Sequence, residues 1–539
     1  MPELGVVMAL LAAVAALATL ARRIGVPYPI LLVLGGLGLA FVPGLPTVAL
    51  EPELVFLLFL PPLLFSAAYF TSWRDFRFNL RAITLLAVGL VLATMAAVAV
   101  VAHLVVGLSW PAAFVLGAIV SPTDAIAATA IAQRLGVPRR IVTVLEGESL
   151  VNDAAAIVAF RVAAGVAAGT AAFSLAGVSF QFVVGAVGGV AVGLGIGWLV
   201  VRALGALNDT PVEIVVTLLA PFVAYLSAEE GPHLLWHEIL GLPGEPFFSG
   251  VLSAVAAGLY LGRKSPTLMS SLSRLEGGAV WNVVVFLLNG LAFVLIGLQL
   301  PAVLEGLREY AAAELLFYGV LVSLTVALVR VAWVFPATYL PRWASRRVRE
   351  RDPSPSWRNV MVISWAGMRG VISLAAALSL PLTTGAGAEF PGRDLILFLT
   401  FAVILVTLVV QGLSLPLLIR ALGLEDDGSV QSEEVRGRIE AADAALARLE
   451  EVAEEGWVRE ETAERVRGMY GYRRGRFAAR ELGDDGYEER SQAYMRLVHE
   501  LVKAQRERLV QLRDDGVISD EALHRIERDL DLEEARLEA

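Results

Sequence analysis

Thr123, Asp124, Glu148, Ser149, Asn152 and Asp153 place oxygen-bearing side chains in the middle of two consecutive apolar stretches. The first stretch runs through Ser121-Pro122-Thr123-Asp124, the second through Glu146-Gly147-Glu148-Ser149-Leu150-Val151-Asn152-Asp153. An ionisable group at bilayer depth is costly and is kept mostly where it faces a partner or a water-filled path. Residues three and four apart share a helix face. Glu148 with Asn152, and Ser149 with Asn152 and Asp153, therefore form one polar stripe about two turns long, with alanine, valine and isoleucine on the other faces. Hard monovalent cations take oxygen ligands, and a carboxylate removed from water holds its proton more tightly. One site can then hold either a cation or a proton, which is the physical requirement for exchange. The alternative is a stripe that only satisfies polar groups between helices, and helix packing rarely uses two carboxylates for that. Pro122 removes a backbone hydrogen bond from its helix. Carbonyls freed beside Thr123 and Asp124 add possible ligands, as in transporters with broken helices.

A matching irregularity lies far downstream, at Trp365-Ala366-Gly367-Met368-Arg369-Gly370. Two glycines bracket an arginine, and glycine permits unwinding or close helix approach. A buried arginine needs an anion. Glu148 and Asp124 are the candidates, and a structural ion pair between Arg369 and Glu148 is the expectation. Arg330 is a second intramembrane arginine, read as a brace of the core, while Arg161 is placed to snorkel outward. His103 is a lone histidine near a helix end and is read as structural. His233 and His237 are four apart beside Glu238, a spacing that suits a metal on a helix, but Gly231-Pro232 and the lack of a further ligand argue against a site. No metal beyond the transported cation and no cofactor is expected. Glu213 and Glu229-Glu230 are either vestibule acids or solvated. The chain has no cysteine, which excludes disulfides and thiolate metal sites.

The elements that must position these residues are membrane helices. Of 539 residues, 57% are hydrophobic and 18% charged, with mean hydropathy +0.68. Apolar runs long enough to cross a ~30 Å hydrocarbon core recur from Leu4 to Leu418. The first run has no basic leader and no clear cleavage site, and it reads as a retained span. The pattern predicts about 13 transmembrane helices. The fifth span carries Asp124, the sixth Asp153 and the twelfth Arg369. Loops on one side hold eighteen basic residues, from Arg22 to Arg358; those on the other hold only Arg308 and Arg393. This asymmetry puts the N-terminus outside and the C-terminus in the cytoplasm. The irregular fifth and twelfth spans lie seven apart, so spans 1–6 and 8–13 correspond with opposite direction, as inverted repeats require.

Composition changes near Leu424. Residues 421–539 carry 31 acidic and 19 basic side chains, whereas the preceding 420 carry 22 and 24. The acidic balance therefore belongs to the tail and says nothing of the transport path. The chain divides into a transmembrane domain at 1–424 and a small helical cytoplasmic tail at 425–539, read as regulatory. Glu455-Gly456-Trp457-Val458 recurs sixty residues later as Asp515-Gly516-Val517-Ile518, each an acidic-Gly turn ahead of an amphipathic helix.

The three motifs together resemble the signatures of monovalent cation:proton antiporters. The nearest branch is the sodium/proton exchangers of the bacterial NhaP type, relatives of the eukaryotic plasma-membrane exchangers. The similarity spans about residues 4–420 and leaves the tail outside. It implies an all-α inverted-repeat antiporter fold with broken crossing helices, a homodimer, and a core domain that moves against a dimerisation domain. It also implies that Asp153 is the main cation and proton carboxylate, with Thr123, Asp124, Glu148, Ser149 and Asn152 lining or bracing the site. The Asn152-Asp153 pair resembles the electroneutral branch. The electrogenic branch has two aspartates there and a lysine where this chain offers Arg369.

The expected function is thus secondary antiport of a monovalent cation, Na+ before K+ or Li+, for H+ across the plasma membrane. The chain is expected to have lipid around it and no enzymatic or nucleic-acid-binding role. An ion channel would need a continuous pore. An intramembrane aspartyl protease built on Asp124 and Asp153 would resemble a Gly-x-Gly-Asp pattern, which the spans lack.

Overall fold

The computed structural model describes residues 2–42, 55–170, 174–207, 209–233, 248–385, 387–426, 428–482 and 485–538. The described residues are helical almost throughout, with a lone bridge between Thr383 and Glu389. The chain forms two compact units, Met1–Asp426 and Asp427–Ala539.

The first unit opens with α1 (Pro2–Ile24) and the shorter apolar helices α2 (Tyr28–Leu39) and α3 (Val55–Phe70). Helix α4 (Trp73–Val106) follows. The first broken segment is α5 (Trp110–Val120) and α6 (Ala125–Arg134). Next come α7 (Arg139–Ala167), α8 (Leu175–Leu204), α9 (Thr210–Glu229), α10 (Gly250–Leu268) and α11 (Ser271–Leu298). Short α12 (Leu300–Glu305) leads to α13 (Ala312–Ala344) and α14 (Arg346–Arg351). The second broken segment is α15 (Trp357–Trp365) and α16 (Val371–Leu378), and α17 (Arg393–Leu422) closes the unit.

Among the described residues, nine helices are long and apolar enough to cross a membrane. The other expected spans fall on α2, α3, α10 and the α15/α16 pair, which are shorter, less apolar or interrupted, so the number thirteen stays an expectation. A soluble bundle would hide its apolar faces, but here they are on the outside. Leu316, Val320, Leu324 and Leu328 of α13, spaced every four residues, are all more than half exposed. That stripe faces lipid in a membrane helix.

The interior is packed from small and branched residues. One cluster joins Val14, Val33, Val294, Leu374 and Leu408, so that α1, α2, α11, α16 and α17 share a core. A second joins Val98, Leu116, Val322 and Val403. Among the described residues, four stretches wind as π-helix, at Val55–Phe59, Leu85–Leu90, Ala102–Val106 and Thr407–Gln411. Such turns recur at functional sites, and the last one supplies a partner to Arg369.

The second unit contains α18 (Ser429–Glu454), α19 (Glu460–Leu482), α20 (Asp485–Asp514) and α21 (Asp520–Glu538). The repeated acidic-Gly turns are the corners between α18 and α19 and between α20 and α21. Gly456 and Gly516 take φ of 78° and 71° there, values that favour glycine. Arg467 holds Glu450 across the first corner and Arg506 holds Asp531 and Glu534 across the second.

Candidate functional site

The two breaks occur where the sequence withholds helix hydrogen bonds. Helix α5 ends at Val120, and Pro122 has no N–H to continue it. Asp124 restarts the helix as N-cap of α6, its Oδ1 accepting the Ile126 N–H at 2.8 Å, the usual role of an aspartate there. Helix α15 ends at Trp365, and Gly370 caps α16.

The breaks are joined to each other. The Asp124 N–H donates to the Met368 carbonyl at 2.8 Å. Arg369 reaches back to the first break, its Nε donating to the Val120 carbonyl at 3.1 Å and its Nη1 to the Gly367 carbonyl. The Arg369 N–H donates to Thr407 Oγ1 at 3.1 Å. Gly370 is required by closeness: a Cβ there would lie 2.1 Å from Asp124 Oδ2 and 2.8 Å from Asp124 Cβ.

Helix α7 runs alongside and supplies the stripe. Glu148, Asn152 and Asp153 are 1%, 1% and 3% exposed, whereas Ser149 and Asp124 are half-buried. Asn152 Nδ2 donates to Thr123 Oγ1 at 2.8 Å and to the Thr123 carbonyl at 3.2 Å. Thr123 Oγ1 in turn donates to Glu148 Oε1 at 2.8 Å. Ser149 Oγ accepts the Ala125 N–H at 3.4 Å. The unwound Thr123 is thereby clamped to α7 from both sides. The Asn152 Oδ1 is buried without a hydrogen-bond partner. The Asp153 carboxylate has no hydrogen-bond or ion-pair partner among the described residues.

The expected pair between Arg369 and Glu148 is not formed. Arg330 takes that place, with Nη1 at 2.5 Å from Glu148 Oε1 and Nη2 at 2.9 Å from Oε2. Arg330 Nε and Nη2 also donate to the Ile363 carbonyl, at 3.2 and 3.0 Å. Arg330 and Glu148 are 0% and 1% exposed. The reason is geometric. Arg369 sits inside the broken segment, where freed carbonyls are the nearest acceptors, while Arg330 projects from an unbroken helix into the space beside Gly367. A Cβ at Gly367 would lie 2.4 Å from Arg330 Cδ. The anion facing Arg330 is thus Glu148. Arg369 has no ion pair among the described residues.

The remaining candidates lie away from this centre. Arg161 pairs with Glu229 at 2.9 Å rather than reaching out alone. His103 Nδ1 lies 2.8 Å from the Leu108 carbonyl and its ring stacks on Trp110. The His233 side chain, His237 and Glu238 lie outside the described residues. Sequence reasoning missed Thr407 and the carbonyls of Val120 and Ile363. A threonine in an apolar run was the only signal for the first, and backbone acceptors leave none.

The arrangement brings carboxylate, hydroxyl and amide oxygens together beside the first break, with the Glu148–Arg330 pair next to them. Comparison with known proteins agrees with that chemistry. The family profile described as sodium/hydrogen exchanger, transmembrane, matches residues 9–421. A Mycobacterium tuberculosis protein named as an uncharacterized Na+/H+ exchanger is 36% identical over 99% of this chain and 96% of its own length. The Na+/H+ antiporter ApNhaP of Aphanothece halophytica is 35% identical over 79% of this chain and 76% of its own. A Bacillus pumilus protein named as a sodium, potassium, lithium and rubidium/H+ antiporter is 37% identical over 73% of this chain and 58% of its own. The structure of the sodium proton antiporter MjNhaP1 from Methanocaldococcus jannaschii superposes with a TM-score of 0.64 at 20% identity, covering 78% of this chain and 99% of that one. The fold is therefore that of the NhaP antiporters. The chain belongs to the sodium/hydrogen exchangers, multi-pass secondary antiporters of monovalent cations and protons rather than enzymes.

Proposed function

We propose that this protein exchanges sodium for protons one for one across the plasma membrane, with Asp153 as the carboxylate that carries each in turn. The observation that carries the reading is the contrast between the two buried acids of α7. Both oxygens of Glu148 are occupied by Arg330, so Glu148 serves as structure. Asp153 is equally buried and has no partner among the described residues, so it is free to bind a cation or a proton. Ser149, one turn before Asp153 on the same face, and half-buried Asp124 across the break offer further oxygens. Thr123 and Asn152 fix the geometry of the break. Asn152 cannot carry a second proton, and the Glu148–Arg330 pair adds no net charge, so each turnover moves one cation against one proton.

The name of the Bacillus pumilus relative supports potassium as a second substrate. We read the protein as a homodimer working by alternating access. The charge asymmetry of the loops supports an outside N-terminus and a cytoplasmic C-terminus, and the boundary after Asp426 supports a separate, regulatory tail.

Asp153→Asn tests the assignment. The substitution keeps shape and an oxygen but removes the titrating charge. Everted vesicles given a pH gradient should show proton movement on adding sodium with the native protein and none with the variant, at equal amounts of folded protein. Near-native exchange by the variant would remove Asp153 from its role. Rates that change when a membrane potential is imposed would contradict the one-for-one stoichiometry.

A further inference from the structure

A second charged constellation lies at the arginine-rich ends of the helices, apart from the exchange site. Asp352, in the link after α14, accepts from three arginines. Arg81 Nη2 lies 2.6 Å from its Oδ2, Arg140 Nη2 2.6 Å from its Oδ1, and Arg342 Nη2 2.7 Å from its Oδ2. Burial pushes the Asp352 carboxyl up, but the bonds from Arg140 and Arg342 outweigh it and hold the group below the ordinary range. The hub is therefore one anion against three cations. Neither Nε nor Nη1 of Arg81 has a partner among the described residues. Arg81 and Arg140 are about one-third exposed, at 32% and 34%.

These arginines stand at the edge of a cleft between α4, α7 and α13. Its deeper walls are apolar: Leu85, Leu86, Ile141, Val144, Val334 and Ala337. A charged rim over an apolar wall fits an amphiphile better than a small ion. The surroundings fix the depth. Trp343 and Trp357, at the adjacent ends of α13 and α15, are 81% and 57% exposed, and exposed tryptophans mark the headgroup level of a membrane protein. Basic pockets between helices on the cytoplasmic side take anionic headgroups.

We infer that this cleft binds an anionic phospholipid, with its phosphate on Arg81 and Arg140 and an acyl chain along Leu86, Val144, Val334 and Ala337. The occupant bridges α4, α7 and α13. Helix α7 carries Glu148 and α13 carries Arg330, so the lipid fastens together the two helices that share the buried pair. Cytoplasmic placement of the rim rests on the orientation proposed above.

The test is lipid binding to the full-length protein purified in a neutral detergent, read by native mass spectrometry and by thermal unfolding. Both readouts are independent of exchange. Phosphatidylglycerol should bind saturably and raise the unfolding temperature, at least about tenfold tighter than phosphatidylcholine, since two or more basic residues at ~1 kcal/mol each exceed the 1.4 kcal/mol of a tenfold change. Arg81→Gln should weaken phosphatidylglycerol about fivefold, the same ~1 kcal/mol converted, and leave phosphatidylcholine unchanged. Ala337→Phe, which fills the apolar wall and keeps every charge, should weaken it as well and decides the matter should Arg81→Gln fold poorly. Equal binding of the two lipids, native affinity in Ala337→Phe, or displacement of phosphatidylglycerol by millimolar glycerol phosphate would each overturn the proposal. The last outcome would make the cleft a site for free phosphate.

Discussion

Arg330→Met isolates the energetics of the buried pair. In the native protein Glu148 is 1% exposed with Arg330 on both oxygens, and the substitution removes that cation while leaving an aliphatic side chain of similar length. Breaking a buried pair by removing one partner costs about 3–5 kcal/mol, because a desolvated charge is left alone. The Ile363 carbonyl also loses its donors, worth roughly 1 kcal/mol more. Glu148→Gln alone should cost about 3 kcal/mol by the same argument in reverse. In the double variant no charge remains at either position, and the amide oxygen introduced by Glu148→Gln still accepts from Thr123. Its loss should be about 2–3 kcal/mol smaller than the best-case sum of the single losses, at the upper end of couplings between contacting residues. Equilibrium unfolding in mixed micelles, followed by tryptophan fluorescence, measures all four corners of the cycle. A coupling of this size shifts the unfolding equilibrium by roughly 30–150-fold, well outside measurement error. Strictly additive losses would refute the pairing. So would a larger coupling in the parallel cycle of Glu148→Gln with Arg369→Met, since Arg369 hydrogen-bonds carbonyls instead.

Three further outcomes are expected. Gly370→Ala should destabilise by about 1–3 kcal/mol and abolish exchange, because its Cβ meets Asp124; Gly278→Ala, in α11 with nothing within 4 Å of the added methyl, should be neutral or stabilising by up to about 1 kcal/mol, as thermal unfolding of both would show. Asp352→Asn should lower stability at pH 7, with the gap from the native protein closing in acid. A carboxyl held below its unfolded value of about 3.9 contributes fully above that value and loses its contribution as pH falls through the folded one, so the closing belongs below about pH 4, and a gap that closes between pH 6 and 8 would contradict the hub. Truncation after Gly428 should leave a protein that inserts and exchanges, since the first compact unit ends at Asp426; a well-folded truncation without transport would show that the tail takes part in the reaction.

The sequence revealed what depends on local spacing. The break at Ser121–Asp124 followed from Pro122, and the stripe from Glu148 to Asp153 followed from helical periodicity. The acidic-Gly repeats of the tail foretold corners that the structure places at Gly456 and Gly516. What failed depended on distance across the fold. Glu148 and Arg330 are 182 residues apart, and Arg81 and Asp352 are 271. Nothing in a linear pattern distinguishes two buried arginines as partners of one glutamate. Arg369 was the plausible choice because glycines flank it, but its Nε and Nη1 turn to the Val120 and Gly367 carbonyls instead. The rim arginines were read only as part of a topology signal. Arg81, Arg140 and Arg342 fall in three different loops or helix ends, and only folding brings them to one carboxylate. The π-wound turn at Thr407–Gln411 is equally unmarked, since Thr407 and Gln411 show in sequence only as two polar residues in an apolar run.

The bond from the Asp124 amide to the Met368 carbonyl is made entirely of main chain. A link of that kind does not depend on the identity of the side chains that flank it. Met368 is free to drift to leucine or isoleucine, provided the pocket is filled, with no effect on how the two broken segments are tied. Asp124 is bound by two separate demands: its carboxylate caps α6, and its N–H must exist. Proline at position 124 would therefore sever the crossing, while asparagine would keep it and alter only the charge. Substitution at these two positions thus separates the tie that assembles the crossing from the chemistry it supports.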